Sequence, residues 1–117
     1  MYIRVYGKLK LELLPNGRWC ELIDALQVIV DNELILIPAG FQTDFASVPR
    51  VFWNIIPPMG LHTIAAVTHD YLYHRGLCPR KTADRIFYNL MRFYGVGRLK
   101  SSVMYLAVRL FGGSSFN

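Results

Sequence analysis

His69 and Asp70 stand side by side in an otherwise apolar run, Ile64-Ala-Ala-Val-Thr-His-Asp-Tyr-Leu-Tyr73. A neutral imidazole whose far nitrogen is held by a carboxylate can take a proton from water, and the resulting cation is stabilised by that carboxylate. Asp84 is the candidate orienter, because a helix pair joined by a short turn brings the start of the second helix against the end of the first. Tyr73, one helical turn beyond His69, is placed to hold a carboxylate through its hydroxyl. The catalytic candidates are therefore His69, Asp84 and Tyr73. Asp70 lies about 100° further round the helix. With backbone carbonyls and an oxygen from Asp44 it would make a hard site suited to calcium or magnesium.

Each residue also has a structural explanation. An acid such as Asp84 in the first turn of a helix gains roughly 0.3–1 kcal/mol from the helix dipole. Asp70 can pair with His74 four residues on, for about 0.2–0.5 kcal/mol. Thr43 and Asp44 precede Ser47, a helix-capping residue, so the three can form a network that steadies a strand-to-helix junction. Thr43, Ser47 and His74 are thus further members of the site rather than its chemistry. His62 fits a helix start, and His69 itself can be satisfied by a buried carbonyl.

The elements that must position these groups are legible in outline. Residues 2–13 alternate apolar and polar side chains, with Leu9, Leu11 and Leu13 against Lys8, Lys10 and Glu12, which predicts a half-buried strand. Pro15-Asn-Gly17 supplies a turn, residues 18–30 read as a second extended segment with a looser course over 20–25 as the alternative, and Asp31-Asn32 turns the chain into a third over 33–38. Ser47 and Pro49 predict a short helix through Ile56, stopped by Pro57-Pro58. The His-Asp helix then runs to about His74. Another starts near Thr82 and sets Ile86, Phe87, Leu90, Met91 and Tyr94 at helical spacing, with Gly95 and Gly97 after its end. A last helix, 98–111, places Leu99, Val103, Leu106 and Leu110 on one side, which reads as its core face. The expectation is one α+β domain over residues 1–117: an N-terminal antiparallel meander of about three strands followed by three to four helices.

Charge is unevenly placed. Residues 1–44 carry four Lys/Arg against six Asp/Glu, and residues 45–117 carry nine against two, those two being Asp70 and Asp84. A net charge of +5 favours encounter with anionic surfaces. Arg75, Arg80, Lys81, Arg85, Arg92, Arg98 and Lys100 suggest a phosphate-facing patch, but the aromatics beside them fall at helical core spacing without a recognised DNA- or RNA-binding motif, so nucleic acid is not the expected partner. The last helix, basic and apolar, would suit a membrane interface; burial is the expectation. No run approaches the roughly 20 apolar residues of a spanning helix, and the first residues do not read as a signal peptide. Cys20 and Cys78 match no zinc or redox spacing and read as unpaired core residues.

Several segments resemble a known family. Gly40-Phe-Gln-Thr-Asp-Phe-Ala-Ser-Val-Pro-Arg50, Trp53, Pro57-Pro58, Ala65-Ala-Val-Thr-His-Asp-Tyr-Leu-Tyr73 and Tyr105-Leu-Ala-Val-Arg-Leu-Phe-Gly112 look like the small phage and prophage proteins grouped as domain of unknown function 1353. The resemblance covers nearly the whole chain from the second strand on. It implies a phage or prophage protein, made in the host cytoplasm, with virion or tail proteins or a host envelope component as partners. It implies no activity.

A shorter likeness carries chemistry. Ala65-Ala66-x-x-His69-Asp70-x-x-Tyr73, followed by Ala83-Asp84-Arg85, is similar to the paired helices of secreted calcium-dependent phospholipases and of the lipase domain of parvovirus capsids. There the residue matching His69 activates water, that matching Asp70 binds calcium, and those matching Tyr73 and Asp84 hold the histidine network. Alanines stand here where those enzymes have cysteines before the histidine, and residues 40–50 would have to replace their glycine-rich calcium loop. The expectation is a phage accessory protein with a His/Asp hydrolytic site; the alternative is a non-enzymatic tail, virion or host-interaction protein.

Overall fold

A computed structural model of the chain describes residues 1–17, 19–45 and 63–116. Ser47, His62 and the short helix expected between them lie outside the described residues. The chain divides into two compact units, Met1–Asp44 and Phe45–Asn117, each described by itself.

The first unit is all strand. β1 (Ile3–Tyr6), β4 (Leu26–Val30) and β5 (Glu33–Ile37) form one antiparallel sheet in the order β1-β4-β5, and β2 (Leu11–Leu13), β3 (Cys20–Leu22) and β6 (Gln42–Thr43) form another in the order β2-β3-β6. The α+β class stands, but six short strands replace the three expected: the first two expected strands are each broken in two, and β6 lies beyond the third. Gly7 breaks the first. Its φ of +98° lies where L side chains are strained, and an added Cβ would sit 3.2 Å from the Ala25 carbonyl oxygen. The second breaks at residues 23–25, where Ile23 N–H donates to the Lys10 carbonyl, leaving Leu22 and Leu26 buried on either side.

Asp31 and Asn32 adopt φ values of 50° and 70° and join β4 to β5 through a two-residue loop in which Val30 faces Glu33. Positive φ at both central positions matches the twist of the flanking strands. The register then puts Leu26, Val28 and Val30 with Ile35 and Ile37 on the buried face.

Among its described residues the second unit holds three helices, α1 (Thr63–Arg75), α2 (Arg80–Phe93) and α3 (Arg98–Phe111), and a closing 3-10 turn, Gly112–Ser115. α1 is buried over most of its circumference, with Ala65, Ala66, Val67, Thr68, His69, Tyr71, Leu72 and Tyr73 all inside. α2 buries Ala83, Ile86, Phe87, Leu90 and Met91, as its spacing predicts. It ends on Gly95, whose φ of +85° lets Val96 N–H reach back to the Met91 carbonyl.

Two expectations fail here. α2 starts at Arg80 rather than Thr82, so Asp84 lies beyond the first turn and the helix dipole does not account for it. α3 is turned the other way: Leu99, Leu106 and Leu110 are 79%, 56% and 72% exposed, while Ser101, Met104, Ala107 and Val108 face inward. Small side chains allow a closer approach of helix axes than a leucine ridge would. Cys20 and Cys78 are unbridged and half-buried rather than core.

Candidate functional site

The site lies wholly within the three-helix unit and is centred on the Asp84 carboxylate, which is fully buried. α1 supplies His69 and Tyr73, one turn apart on one face. Their rings stack with centroids 4.2 Å apart, and Phe87 of α2 closes on His69 at 4.5 Å. Asp84 Oδ1 lies 2.8 Å from His69 Nε2 and accepts a short hydrogen bond from the Tyr73 hydroxyl. Asp84 Oδ2 accepts from Arg109 Nη1 of α3 at 2.8 Å. One carboxylate thereby ties three helices together.

A second arginine completes the network. Arg80, the first residue of α2, donates from Nε to the Tyr73 hydroxyl at 3.2 Å, and from Nη2 to the carbonyl oxygens of Val108 at 2.7 Å and Arg109 at 2.6 Å. Those carbonyls belong to the last turn of α3, where the Val108 oxygen also accepts the Gly112 N–H, and a cation at a helix C-terminus meets the negative end of the dipole. The Tyr73 hydroxyl thus accepts from Arg80 and donates to Asp84.

Electrostatics follow from this geometry. Burial alone would push the Asp84 carboxyl up; the donors His69, Tyr73 and Arg109 outweigh it and hold the group below the usual carboxylate range. Burial pushes the His69 imidazole below its ordinary value, against the pull of Asp84. The charge count makes that direction reasonable. Arg109 already neutralises Asp84 and Arg80 adds a further cation, so a proton on His69 would leave excess positive charge in a buried site. Burial and the Asp84 bond raise the Tyr73 phenol, and the Asp84 bond raises Arg109. Near neutral pH the site is therefore a neutral imidazole donating Nε2–H to an ionised carboxylate, with Nδ1 as its basic nitrogen; the tautomer is inferred from the hydrogen bonding.

The structure brings together His69, Tyr73 and Asp84. Asp70 is half-buried on α1 and His74 is exposed near its end. Thr43 ends β6, buried and opposite Cys20, and half-buried Asp44 closes the first unit, so neither belongs to the unit that holds the network. Among the described residues no three His, Cys, Asp or Glu side chains converge as a metal centre requires. The three-helix unit contains just two acids, and Asp84 is occupied by three donors. Within this unit that leaves Asp70, whereas calcium and magnesium each take six or more oxygen ligands.

Arg80, read from the sequence as part of a basic patch, and Arg109 are the network members that sequence reasoning did not place there. Arg80 is separated by 28 and 29 residues from its carbonyl partners, and Arg109 by 25 from Asp84. The available signal was Arg109 itself, a lone charge in the apolar stretch Leu106-Ala-Val-Arg-Leu-Phe111.

Comparison with known proteins gives a family without a described activity. The family described as "Protein of unknown function (DUF1353)" matches residues 20–108, which takes in all the network residues except Arg109. A protein of Sinorhizobium fredii (strain NBRC 101917 / NGR234), "Uncharacterized protein y4jT", is 38% identical over 78 residues; the match takes in 65% of this chain and 23% of that protein, so the chain spans about a quarter of its relative's length. No solved structure matches. With the family match extending over most of its length, the chain belongs to the DUF1353 family of proteins of unknown function.

Proposed function

We propose that this chain is a phage or prophage accessory protein whose three-helix unit is a hydrolytic module of the general-base histidine type, acting on an ester or amide of the host envelope. The observation that carries the reading is the 2.8 Å contact between His69 Nε2 and a carboxylate that Tyr73 and Arg109 hold ionised. A carboxylate so placed fixes the ring and its tautomer, in which Nδ1 is the proton-accepting nitrogen. In the reaction, Nδ1 takes a proton from water as the water oxygen bonds to the substrate carbonyl carbon. Asp84 stabilises the imidazolium that forms. Nδ1 then returns the proton to the leaving oxygen or nitrogen as the ester or amide bond breaks, giving an acid and an alcohol or amine.

Burial favours a second reading. His69 and Asp84 are both fully buried, and Arg80 binds the end of α3. These are the marks of a polar lock between helices, as a non-enzymatic tail, virion or host-interaction protein would use. Assay of fatty-acid release from phosphatidylglycerol vesicles and of short-chain nitrophenyl ester cleavage separates the two, with wild type compared with His69→Gln. The hydrolytic reading expects turnover that His69→Gln abolishes and that rises with pH through a value below about 6.5. Equal rates in both proteins, or none above the uncatalysed rate, would refute it in favour of the lock.

A further inference from the structure

Leu99, Leu106 and Leu110 project from α3 at spacings of seven and four, two turns and one turn, which aligns them as one ridge along the helix, and each is more than half exposed. Three leucines in line on a single helix are more than scattered surface apolarity; contiguous exposed patches of this kind mark binding surfaces. α3 carries no acid, and its charged residues are Arg98, Lys100 and Arg109. On a helical projection Lys100 falls to one side of the ridge and Arg98 to the other, while Arg109 is held by Asp84. An apolar ridge with cations along both edges has the layout of a helix lying in a bilayer interface, its leucines among acyl chains and its cations level with lipid phosphates.

Charge chooses among occupants. The helical unit holds nine Lys/Arg against two Asp/Glu, one of them locked to Arg109, so a second copy would set like charge against like across the ridge. An anionic surface complements it. A lipid surface also accepts a convex ridge without a matching groove, which a folded protein partner would have to supply.

We propose that the outward face of α3 docks the protein onto an anionic phospholipid bilayer. This deepens the hydrolytic reading by giving its substrate a lipid setting, but the test reads binding and not turnover, so either can fail alone. The full chain is mixed with sucrose-loaded vesicles of phosphatidylcholine, with and without one-third phosphatidylglycerol, and the bound fraction is measured by sedimentation at low and high salt. Binding is expected to the anionic vesicles, to weaken with salt, and to fall on the order of 100-fold in Leu99→Gln/Leu106→Gln/Leu110→Gln. These side chains are exposed, so circular dichroism should show the helix content unchanged. Arg98→Gln/Lys100→Gln should lose the preference for phosphatidylglycerol while retaining the fold.

No sedimentation with anionic vesicles, or equal binding by the leucine variant, overturns the proposal. So does a wild-type dimer in equilibrium centrifugation that the leucine variant converts to monomer without vesicle binding by either, because the face would then join two copies.

Discussion

Replacing Asp84 by asparagine tests the network at its centre. The side chain keeps its shape, loses its charge, and exchanges one acceptor oxygen for an NH2. If the remaining oxygen stays between His69 and Tyr73, the new NH2 faces Arg109 Nη1, donor against donor, where a 2.8 Å charge-assisted bond had been. If the amide is turned over, the two α1 donors lose their acceptor instead. Hydrogen bonds to charged groups contribute about 1.5–3 kcal/mol, and removing one partner of a buried ion pair costs about 3–5 kcal/mol. Arg109 is 30% exposed and can turn toward water, which moves the expectation to the lower end. A loss of about 2–3 kcal/mol is expected, or roughly 10–20 °C in the melting temperature of a unit this size.

The same substitution has a pH signature. The folded-state carboxyl is held below its ordinary value, so its contribution is fully present above the unfolded value of about 3.9 and is lost as pH falls through the folded one. Calorimetric melts of both proteins from pH 7 to pH 3 should therefore show a gap that is constant down to about pH 4 and then narrows. A variant that melts within 2 °C of wild type at pH 7, or a gap that closes between pH 7 and pH 5, would refute the assignment of an ionised, triply bonded Asp84.

Four further outcomes follow from the geometry. Burial lowers the His69 value, so protonation favours the unfolded chain. Stability should be full above about pH 6.5 and fall below it by at most about 1.4 kcal/mol per pH unit, and denaturant titrations of His69→Gln should lack that slope. Thr68 Oγ1 is buried with no hydrogen-bond partner among the described residues, so Thr68→Val should raise stability by about 1 kcal/mol in urea unfolding, and a loss would mean that the hydroxyl has a bound partner. Lysine cannot reproduce the fork by which Arg80 joins Tyr73 to two carbonyls, so Arg80→Lys should cost about 1–3 kcal/mol in thermal melts, with no loss arguing against the clamp. Calorimetric titration with calcium, magnesium or zinc should give no saturable heat that Asp70→Asn removes; such a heat would restore a metal to the mechanism.

The pairing of His69 with Asp84 was legible because it is nearly local. Two helices joined by four residues form a hairpin, and an acid early in the second helix meets a histidine late in the first. The limits of α3 were equally legible, set by the glycines at 97 and 112. The break at Gly7 was harder to see, since Leu9, Leu11 and Leu13 continue the same alternation beyond it. Alternation fixes which side chains share a face, but not that the chain leaves one sheet for another.

Residue order therefore determined the kinds of element, the hairpin of α1 and α2, and the histidine with its carboxylate and phenol. Only the tertiary structure decided which face of α3 is buried and that Arg80 and Arg109 close the network. Periodicity records the stripes a helix carries, whereas the stripe that turns inward depends on the partner surface. In α3 the face of Ser101, Met104, Ala107 and Val108 turns inward, so the leucines point outward. The arginines reach partners 25 to 29 residues away, a distance over which no local pattern constrains a side chain and only packing of the helices brings donor to acceptor.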